Sequence, residues 1–104
     1  MPVSEINELT SCFVKQLSPL KIYLFGSYVS GEFDENSDFD FYIVVDDSQS
    51  DLLELMRSAY KSVRDVKKRP VDILIGTESS FEQRKNSLSV ENEVYLKGVL
   101  VYAA

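Results

Sequence analysis

The spacing of apolar residues in the first part of the chain predicts a helix that buries one of its sides. Ile6, Leu9, Phe13 and Leu17 recur three or four residues apart, which is the spacing of one face of an α-helix. Ser4 precedes these residues and is expected to serve as the N-cap. We therefore predict a first helix from Ser4 to Leu17.

Four shorter apolar runs predict the strands of a sheet: Ile22–Phe25, Phe39–Val45, Val71–Ile75 and Val99–Tyr102. Further helices are predicted at Asp51–Val66 and Val90–Lys97, a short one at Ser27–Ser30, and a helical or irregular segment at 77–84. Together these elements predict an α/β (α+β) fold, a small mixed sheet of about four strands flanked by helices. A length of 104 residues fits a single domain spanning residues 1–104.

The helix predicted at 51–66 has an apolar side and a basic end. We expect Ser50 to cap the helix and one side to be buried, formed by Leu52, Leu53, Met56, Tyr60 and Val63. Cations at its end favour the negative pole of the helix dipole. We expect these cations to be solvated, with a phosphate-binding role as the alternative; they are Arg64, Lys67, Lys68 and Arg69.

Two aspartates occupy alternate positions at the start of the second predicted strand. Because strand side chains point to opposite faces in turn, Asp38 and Asp40 share a face with Tyr42 and Val44. Phe39 and the odd-numbered residues after it take the other face, which we expect to be the buried one. The two carboxylates lie about 7 Å apart along the backbone and repel each other unless a cation lies between them. Mg²⁺ is the natural candidate because it prefers carboxylate oxygens and keeps coordination positions free for phosphate.

A glycine–serine pair after the first strand indicates a phosphate site. Gly26 lets the backbone approach a ligand closely because it has no Cβ. A helix beginning at Ser27 would present free N–H groups and the positive end of its dipole to an anion. The Ser27 hydroxyl could add a further donor.

A third aspartate lies within the later apolar strand. We expect the strand Val71–Ile75 to be buried on both faces, so the carboxylate of Asp72 needs a partner. That partner is either a metal ion shared with the two earlier aspartates or a nearby Lys or Arg. Given Asp38 and Asp40, we predict that Asp72 is the third metal ligand.

The loop before the second strand imitates the opening of a calcium site. Asp34, Asn36 and Asp38 have the spacing of an EF-hand loop, but Phe39 stands at the glycine position and Val45 at the twelfth position. We therefore reject calcium binding of that type. The polar residues before Asp38 are expected to form a solvated turn.

Composition excludes several classes of function. A net charge of −6, from 11 basic and 17 acidic residues, argues against direct nucleic-acid binding and against a DNA polymerase role. The absence of histidine excludes histidine catalysis and histidine-ligated zinc. The single cysteine, Cys12, permits no intrachain disulfide and is expected to be a packed thiol, which fits a cytoplasmic location. The start of the chain lacks the basic segment of a signal peptide, and no apolar run approaches membrane-spanning length.

The spacing of these motifs resembles a known signature. Gly26-Ser27, ten residues, and then Asp38-x-Asp40, in a strand–turn–strand context, is similar to the nucleotidyltransferase superfamily related to DNA polymerase beta. More narrowly, the chain resembles the minimal nucleotidyltransferase (MNT) domain, the antitoxin of HEPN/MNT toxin–antitoxin pairs. The resemblance also covers Val71–Leu74 and the closing segment Gly98–Tyr102, and therefore most of the chain.

The resemblance implies a reaction and a partner. It implies Mg²⁺-dependent transfer of AMP from ATP to a tyrosine of a HEPN ribonuclease toxin, with two Mg²⁺ ions held by Asp38, Asp40 and Asp72 and the phosphates held by Gly26 and Ser27. A non-catalytic antitoxin that neutralises the toxin by binding alone is the alternative. Modification of a small molecule is disfavoured, since such enzymes resemble this domain with an added helical domain.

The chain departs from the family pattern at one point. Family members often carry an arginine within the segment after the Gly-Ser pair, whereas residues 28–31 here contain no basic residue. If that arginine holds phosphate, activity here is weak or depends on Lys21 or another cation.

Overall fold

The computed structural model describes residues 3–104, so Met1 and Pro2, part of the chain start inspected for a signal peptide, lie outside the described residues. The chain forms five helices and four strands within the described part. In order they are α1 Val3–Leu17, β1 Lys21–Phe25, α2 Ser27–Ser30, β2 Phe39–Val45, α3 Leu52–Val63, β3 Val71–Thr77, α4 Glu78–Arg84, α5 Val90–Lys97 and β4 Val99–Ala103. No helix of the described residues is long and apolar enough to cross a membrane.

The strands form one mixed sheet in the order β3-β2-β1-β4. β1 lies antiparallel to both β2 and β4, whereas β2 and β3 are parallel. A parallel pair requires a crossover connection, which α3 provides between β2 and β3. The predicted fold, a small mixed sheet of four strands flanked by helices, is confirmed.

The main core lies between one face of the sheet and helices α1 and α3. It contains the predicted helical stripe of α1 and the odd-numbered residues of β2; its members include Ile6, Leu9, Phe13, Leu17, Phe39, Phe41, Ile43 and Val45. Cys12 packs against this core, as expected. Ser4 lies inside α1, so the prediction that it caps the helix is wrong.

The opposite face of the sheet is also covered along most of β2. Tyr42 and Val44 are each only 2% exposed, because Phe81 of α4 and Val94 of α5 pack against them. The expectation that only one face of β2 is buried is therefore wrong. Of the even-numbered residues within β2, Asp40 alone is not fully buried.

Helix α3 is shorter and turned differently from the prediction. Its N-cap is Asp51, whose carboxylate accepts a hydrogen bond from the Glu54 N–H, and not Ser50. Leu53 is 60% exposed and Tyr60 is 39% exposed, so the predicted apolar side is only partly buried. The fully buried positions are Ala59 and Val63, because the helix turns this side toward α1 and β3.

Strand β3 is an edge strand with one open face. Asp72 and Leu74 are exposed, while Val71 and Ile73 pack into the main core. The expectation that this strand is buried on both faces is therefore wrong. The cluster of side chains under α4 and α5 includes residues of β1 and β2, and β3 contributes none to it.

Candidate active site

Strand pairing brings the candidate residues of three separate segments to one end of the sheet. In the parallel β2–β3 ladder Asp40 lies opposite Asp72, and in the antiparallel β1–β2 ladder Asp40 lies opposite Phe25. Gly26 and Ser27 follow Phe25 directly, and Asp38 precedes the first residue of β2. The end of β1 and the beginnings of β2 and β3 therefore meet at Asp40.

The carboxyl groups at this end of the sheet form a concentration of negative charge. Burial, the charges of Asp72 and Asp38, and a hydrogen bond with Asp72 together raise the pKa of Asp40 to about 6, and Glu93 of α5 adds to the effect. Asp40 is half-buried, whereas Asp72 is exposed. Such a cluster favours the arrival of a cation, which would relieve the repulsion among the ionised groups.

The backbone of Gly26 passes directly beside the carboxylate of Asp40. Its backbone has φ +80° and ψ −150°, a region that only glycine adopts readily. A Cβ at this position would lie 3.0 Å from Cγ of Asp40 and would overlap its Oδ2 atom. Gly26 is therefore required both for the turn and for the space that the carboxylate occupies.

The predicted short helix after Gly26 is confirmed as α2. The N–H groups of Val29 and Ser30 each donate to the Gly26 carbonyl at 3.0 Å, and Gly31, with φ +86°, ends the helix. The amides of Ser27 and Tyr28 precede these donors and have no acceptor within the helix, as is general for a first turn. They and the Ser27 hydroxyl are the groups that this segment offers to a phosphate.

The donor set fits a divalent cation by its chemistry. Asp38, Asp40 and Asp72 supply carboxylate oxygens only, and oxygen ligands are those that Mg²⁺ prefers. Burial and the neighbouring carboxylates raise the pKa of Asp40 to about 6, so its ionised form would be stabilised by a positive partner. Among residues 3–104, no three His, Cys, Asp or Glu side chains are close enough together to form a complete metal group. The three-aspartate ligand set therefore stays a prediction.

The structure rules out one substitute for the arginine absent from α2. Lys21 begins β1, whereas the candidate site lies at the other end of this strand, after Phe25. The four residue steps from Lys21 to Phe25 span about 13 Å of strand. Lys21 pairs with Val44, well away from Asp40, so the suggestion that it serves the phosphate site is wrong.

Arg69 does not behave as a solvated cation, contrary to the expectation for the end of α3. Its side chain is only 15% exposed and forms an ion pair with Glu5 of α1 at 3.0 Å. It also donates to the Tyr28 hydroxyl and, at 3.2 Å, to the Glu35 carbonyl. Its guanidinium carbon lies 4.9 Å from the ring centroid of Phe39. This role was not predicted from the sequence; the one available signal was an arginine two residues before the strand that carries the third aspartate.

A buried polar network lies under the site and was also missed. The Tyr42 hydroxyl donates to the Glu91 carboxylate at 2.8 Å, and Arg84 donates to the other oxygen at 3.0 Å. Glu91 is 7% exposed. Burial by itself would raise the pKa of Glu91, but the hydrogen bonds from Arg84 and Tyr42 outweigh it and lower the pKa. The network joins α5 to β2 two residues beyond Asp40.

A separate groove of about 570 Å³ runs along the outer side of α3 and contains none of the candidate residues. Its lining combines apolar and basic side chains: Leu53, Met56, Arg57, Tyr60, Lys61, Arg64 and Lys67. The Tyr60 hydroxyl in this groove accepts a hydrogen bond from the Ile73 N–H of the edge strand. The groove is therefore distinct from the acidic site, and Arg64 and Lys67 lie in it and not at the aspartates.

The fold and the carboxylate cluster around Asp40 define an α/β domain with a candidate cation and phosphate site. Residues 6–97 match the nucleotidyltransferase domain family. The chain therefore belongs to the nucleotidyltransferase domain family.

Solved structures share this fold over nearly the whole chain. A toxin–antitoxin complex with AMP-PNP is 23% identical with a TM-score of 0.58, and the match covers 100% of this chain and 75% of that chain. A protein from Sulfolobus solfataricus described as a candidate nucleotidyltransferase is 19% identical with a TM-score of 0.67, covering 96% and 78% of the two chains. Spectinomycin adenyltransferase from Enterococcus faecialis, with ATP and spectinomycin, is 17% identical with a TM-score of 0.50, covering 94% and 46%. At these identities the likeness establishes the fold. No curated protein matches the chain by sequence.

Proposed function

We propose that this nucleotidyltransferase is an antitoxin that transfers AMP from ATP to a tyrosine hydroxyl of a partner HEPN ribonuclease toxin. The observation that carries the proposal is the pairing of Asp40 with Asp72 directly beside the Gly26 turn. A toxin–antitoxin complex that contains AMP-PNP shares the fold, which supports both the nucleotide and the kind of partner.

In the proposed reaction, Asp38, Asp40 and Asp72 would hold Mg²⁺, with two ions expected. When bound, these ions would neutralise triphosphate charge and lower the pKa of the attacking hydroxyl. The amides of Ser27 and Tyr28 and the Ser27 hydroxyl orient the phosphates. Fixed donors of this kind favour in-line attack by position and charge.

The proton of the acceptor hydroxyl passes to a carboxylate of the chain. The hydroxyl oxygen bonds to the α-phosphorus, the bond to the bridging oxygen breaks, and pyrophosphate leaves with that electron pair. Asp72 is the acceptor for the proton because it is exposed at the mouth of the site, whereas Asp40 is half-buried.

The second candidate function is neutralisation of the toxin by binding alone. It is favoured by the lack of a basic residue in the segment 28–31 and by the position of Lys21 at the far end of β1. Without a cation beside the phosphate turn, nucleotide binding depends on backbone donors and on metal.

The direct test is a transfer reaction with the product of the neighbouring gene. ATP labelled at the α-phosphate, Mg²⁺ and that product are incubated with the wild type or with the Asp38→Asn, Asp40→Asn double variant. We expect label on the partner with the wild type and none with the double variant. Asp46→Asn is the matched control, since Asp46 is an exposed carboxylate that follows the other end of β2.

The same variants separate the two candidate functions in cells. If the double variant still protects cells that express the partner, binding alone suffices and the enzymatic account of protection is wrong. If the double variant loses both labelling and protection while it still forms the complex, transfer is required for protection.

A further inference from the structure

We infer that Arg69 is a positioning residue that fixes the segment between Gly26 and Asp38, and so sets the nucleotide affinity of the site. The effect on nucleotide binding rests on the proposed function, whereas the effect on the segment itself can be measured without it. Arg69 touches neither the candidate phosphate donors nor the aspartates; it acts through the side chains and carbonyl that hold them.

Arg69 contacts the segment after Gly26 at two points. The Arg69 guanidinium donates to the Tyr28 hydroxyl, which in turn donates to the Asp34 carbonyl at 3.2 Å. The same nitrogen of Arg69 donates to the Glu35 carbonyl at 3.2 Å. One guanidinium therefore links α2 to the loop that leads to Asp38.

Arg69 is itself held by an ion pair and by two aromatic rings. Its Nε and Nη2 atoms donate to the two carboxylate oxygens of Glu5 at 3.0 and 3.5 Å. Its guanidinium carbon lies 5.4 Å from the ring centroid of Tyr28 and 4.9 Å from that of Phe39. The Arg69 and Glu5 side chains are 15% and 23% exposed, so the ion pair is largely shielded from solvent. Cation–π contact and a shielded ion pair both favour a single orientation of the guanidinium.

The residues in these contacts lie next to the candidate site residues in the sequence. Phe39 lies between Asp38 and Asp40, Tyr28 follows Ser27, and Arg69 lies three residues before Asp72. A single side chain thus connects all three segments that carry candidate site residues. Because Arg69 belongs to the chain entering β3, it fixes the first two segments relative to the third.

The loop has few other polar anchors. Hydrogen bonds inside residues 31–37 are local, such as those of Asp34 with the backbone of Asn36 and with Ser37. Among the described residues, the hydrogen bonds that connect 32–37 to the rest of the chain are those to Tyr28 and Arg69. Loss of the guanidinium therefore releases this loop while the sheet keeps its own contacts.

Lysine cannot replace this arginine. The contacts with Glu5, Tyr28 and Glu35 use a planar fork with several donors in fixed directions, whereas an ammonium is a single point charge. Arg69→Lys is expected to keep the attraction to Glu5 and to lose the link to the loop. Arg69→Met removes both while it keeps an apolar stem of similar length.

The test combines hydrogen exchange with binding of AMP-PNP in the presence of Mg²⁺. We compare the wild type, Arg69→Met, Arg69→Lys and Tyr28→Phe, with Lys68→Met as the control because Lys68 is an exposed neighbour outside these contacts. In Arg69→Met and Arg69→Lys we expect the amides of residues 27–37 to exchange faster than in the wild type, while the amides of Phe41–Val45 stay protected. If the ordered segment falls to a tenth of its population, the AMP-PNP affinity falls about tenfold.

The outcomes separate the inference from the proposed function. Failure of the wild type to bind AMP-PNP would contradict the proposed function, and hydrogen exchange of the segment would still decide the role of Arg69. Wild-type exchange and wild-type affinity in Arg69→Met would overturn the inference. If Arg69→Met does not fold, Tyr28→Phe decides the matter, since it removes only the hydroxyl relay; unchanged exchange at residues 33–36 would overturn the inference.

Discussion

Replacement of Gly26 by alanine tests the geometry of the candidate site in a single methyl group. Gly26 has φ +80° and ψ −150°, and its added Cβ would overlap Oδ2 of Asp40. Gly31 provides a matched control because it also has positive φ, +86°, but an added Cβ would meet no atom within 4 Å. Both variants therefore carry backbone strain, and only Gly26→Ala also disturbs a candidate ligand.

The expected losses of stability follow from these two differences. The backbone region of Gly26 costs a non-glycine residue about 1–3 kcal/mol, and relief of the overlap adds about 1–3 kcal/mol. We therefore expect Gly26→Ala to lower the free energy of unfolding by about 2–6 kcal/mol. Gly31→Ala, in the ordinary left-handed region, is expected to lower it by about 1–2 kcal/mol.

Urea denaturation measures these losses of stability, and titration with Mg²⁺ and AMP-PNP measures ligand binding at the candidate site. Gly26→Ala should lose ligand binding because the Asp40 carboxylate must move, whereas Gly31→Ala should bind as the wild type does once it is folded. Equal destabilisation of the two variants, together with equal ligand binding, would refute the proposed contact between Gly26 and Asp40.

Three further predictions concern the support of the site. Gly76→Ala should lower the free energy of unfolding by about 1–3 kcal/mol in urea denaturation, because its Cβ would displace the Tyr42 hydroxyl; a neutral result would contradict this packing. The hydrogen bonds from Arg84 and Tyr42 outweigh burial and lower the pKa of Glu91 below its ordinary 4.5. Ionised Glu91 therefore stabilises the fold above that pH, and this contribution is lost as the pH falls. Glu91→Gln should therefore flatten the dependence of stability on pH in the acid range, and an unchanged slope would argue against the network. Asp51→Ala should cost about 1 kcal/mol in thermal unfolding through loss of the α3 cap, and no change would mean that another group caps it.

The elements with strong local patterns could be predicted from the sequence. The predicted bounds of β2 and α5 agree with the structure, because both were predicted from signals between neighbouring residues. For β2 the signal was the alternation of side chains, and for α5 it was Gly98 at the end of the helix. The positions of Asp38 and Asp40 followed from the same alternation. Their proximity to Asp72 was predicted because a carboxylate within an apolar strand needs a partner, and the family resemblance supported it. The parallel register of Asp40 with Asp72 explains the proximity physically.

The features that could not be predicted depend on contacts between distant residues. Arg69 meets Glu5 across 64 residues, and Tyr42 meets Glu91 across 49 residues. No local pattern distinguishes such a buried arginine or glutamate from a solvated one. The exposure of Asp72 was missed for a similar reason, since only the strand order makes β3 an edge.

Thermal unfolding with and without Mn²⁺ tests most directly whether Asp38, Asp40 and Asp72 form a cation site beside the Gly26 turn. Without the ion, Asp40→Asn should unfold at a higher temperature than the wild type, because it removes a carboxylate whose pKa is raised to about 6 by burial and by the charges of Asp72 and Asp38. With Mn²⁺, the wild type should be stabilised while Asp40→Asn should not, and Asp46→Asn should respond as the wild type does. A lower unfolding temperature of Asp40→Asn combined with a full response to Mn²⁺ would contradict the account.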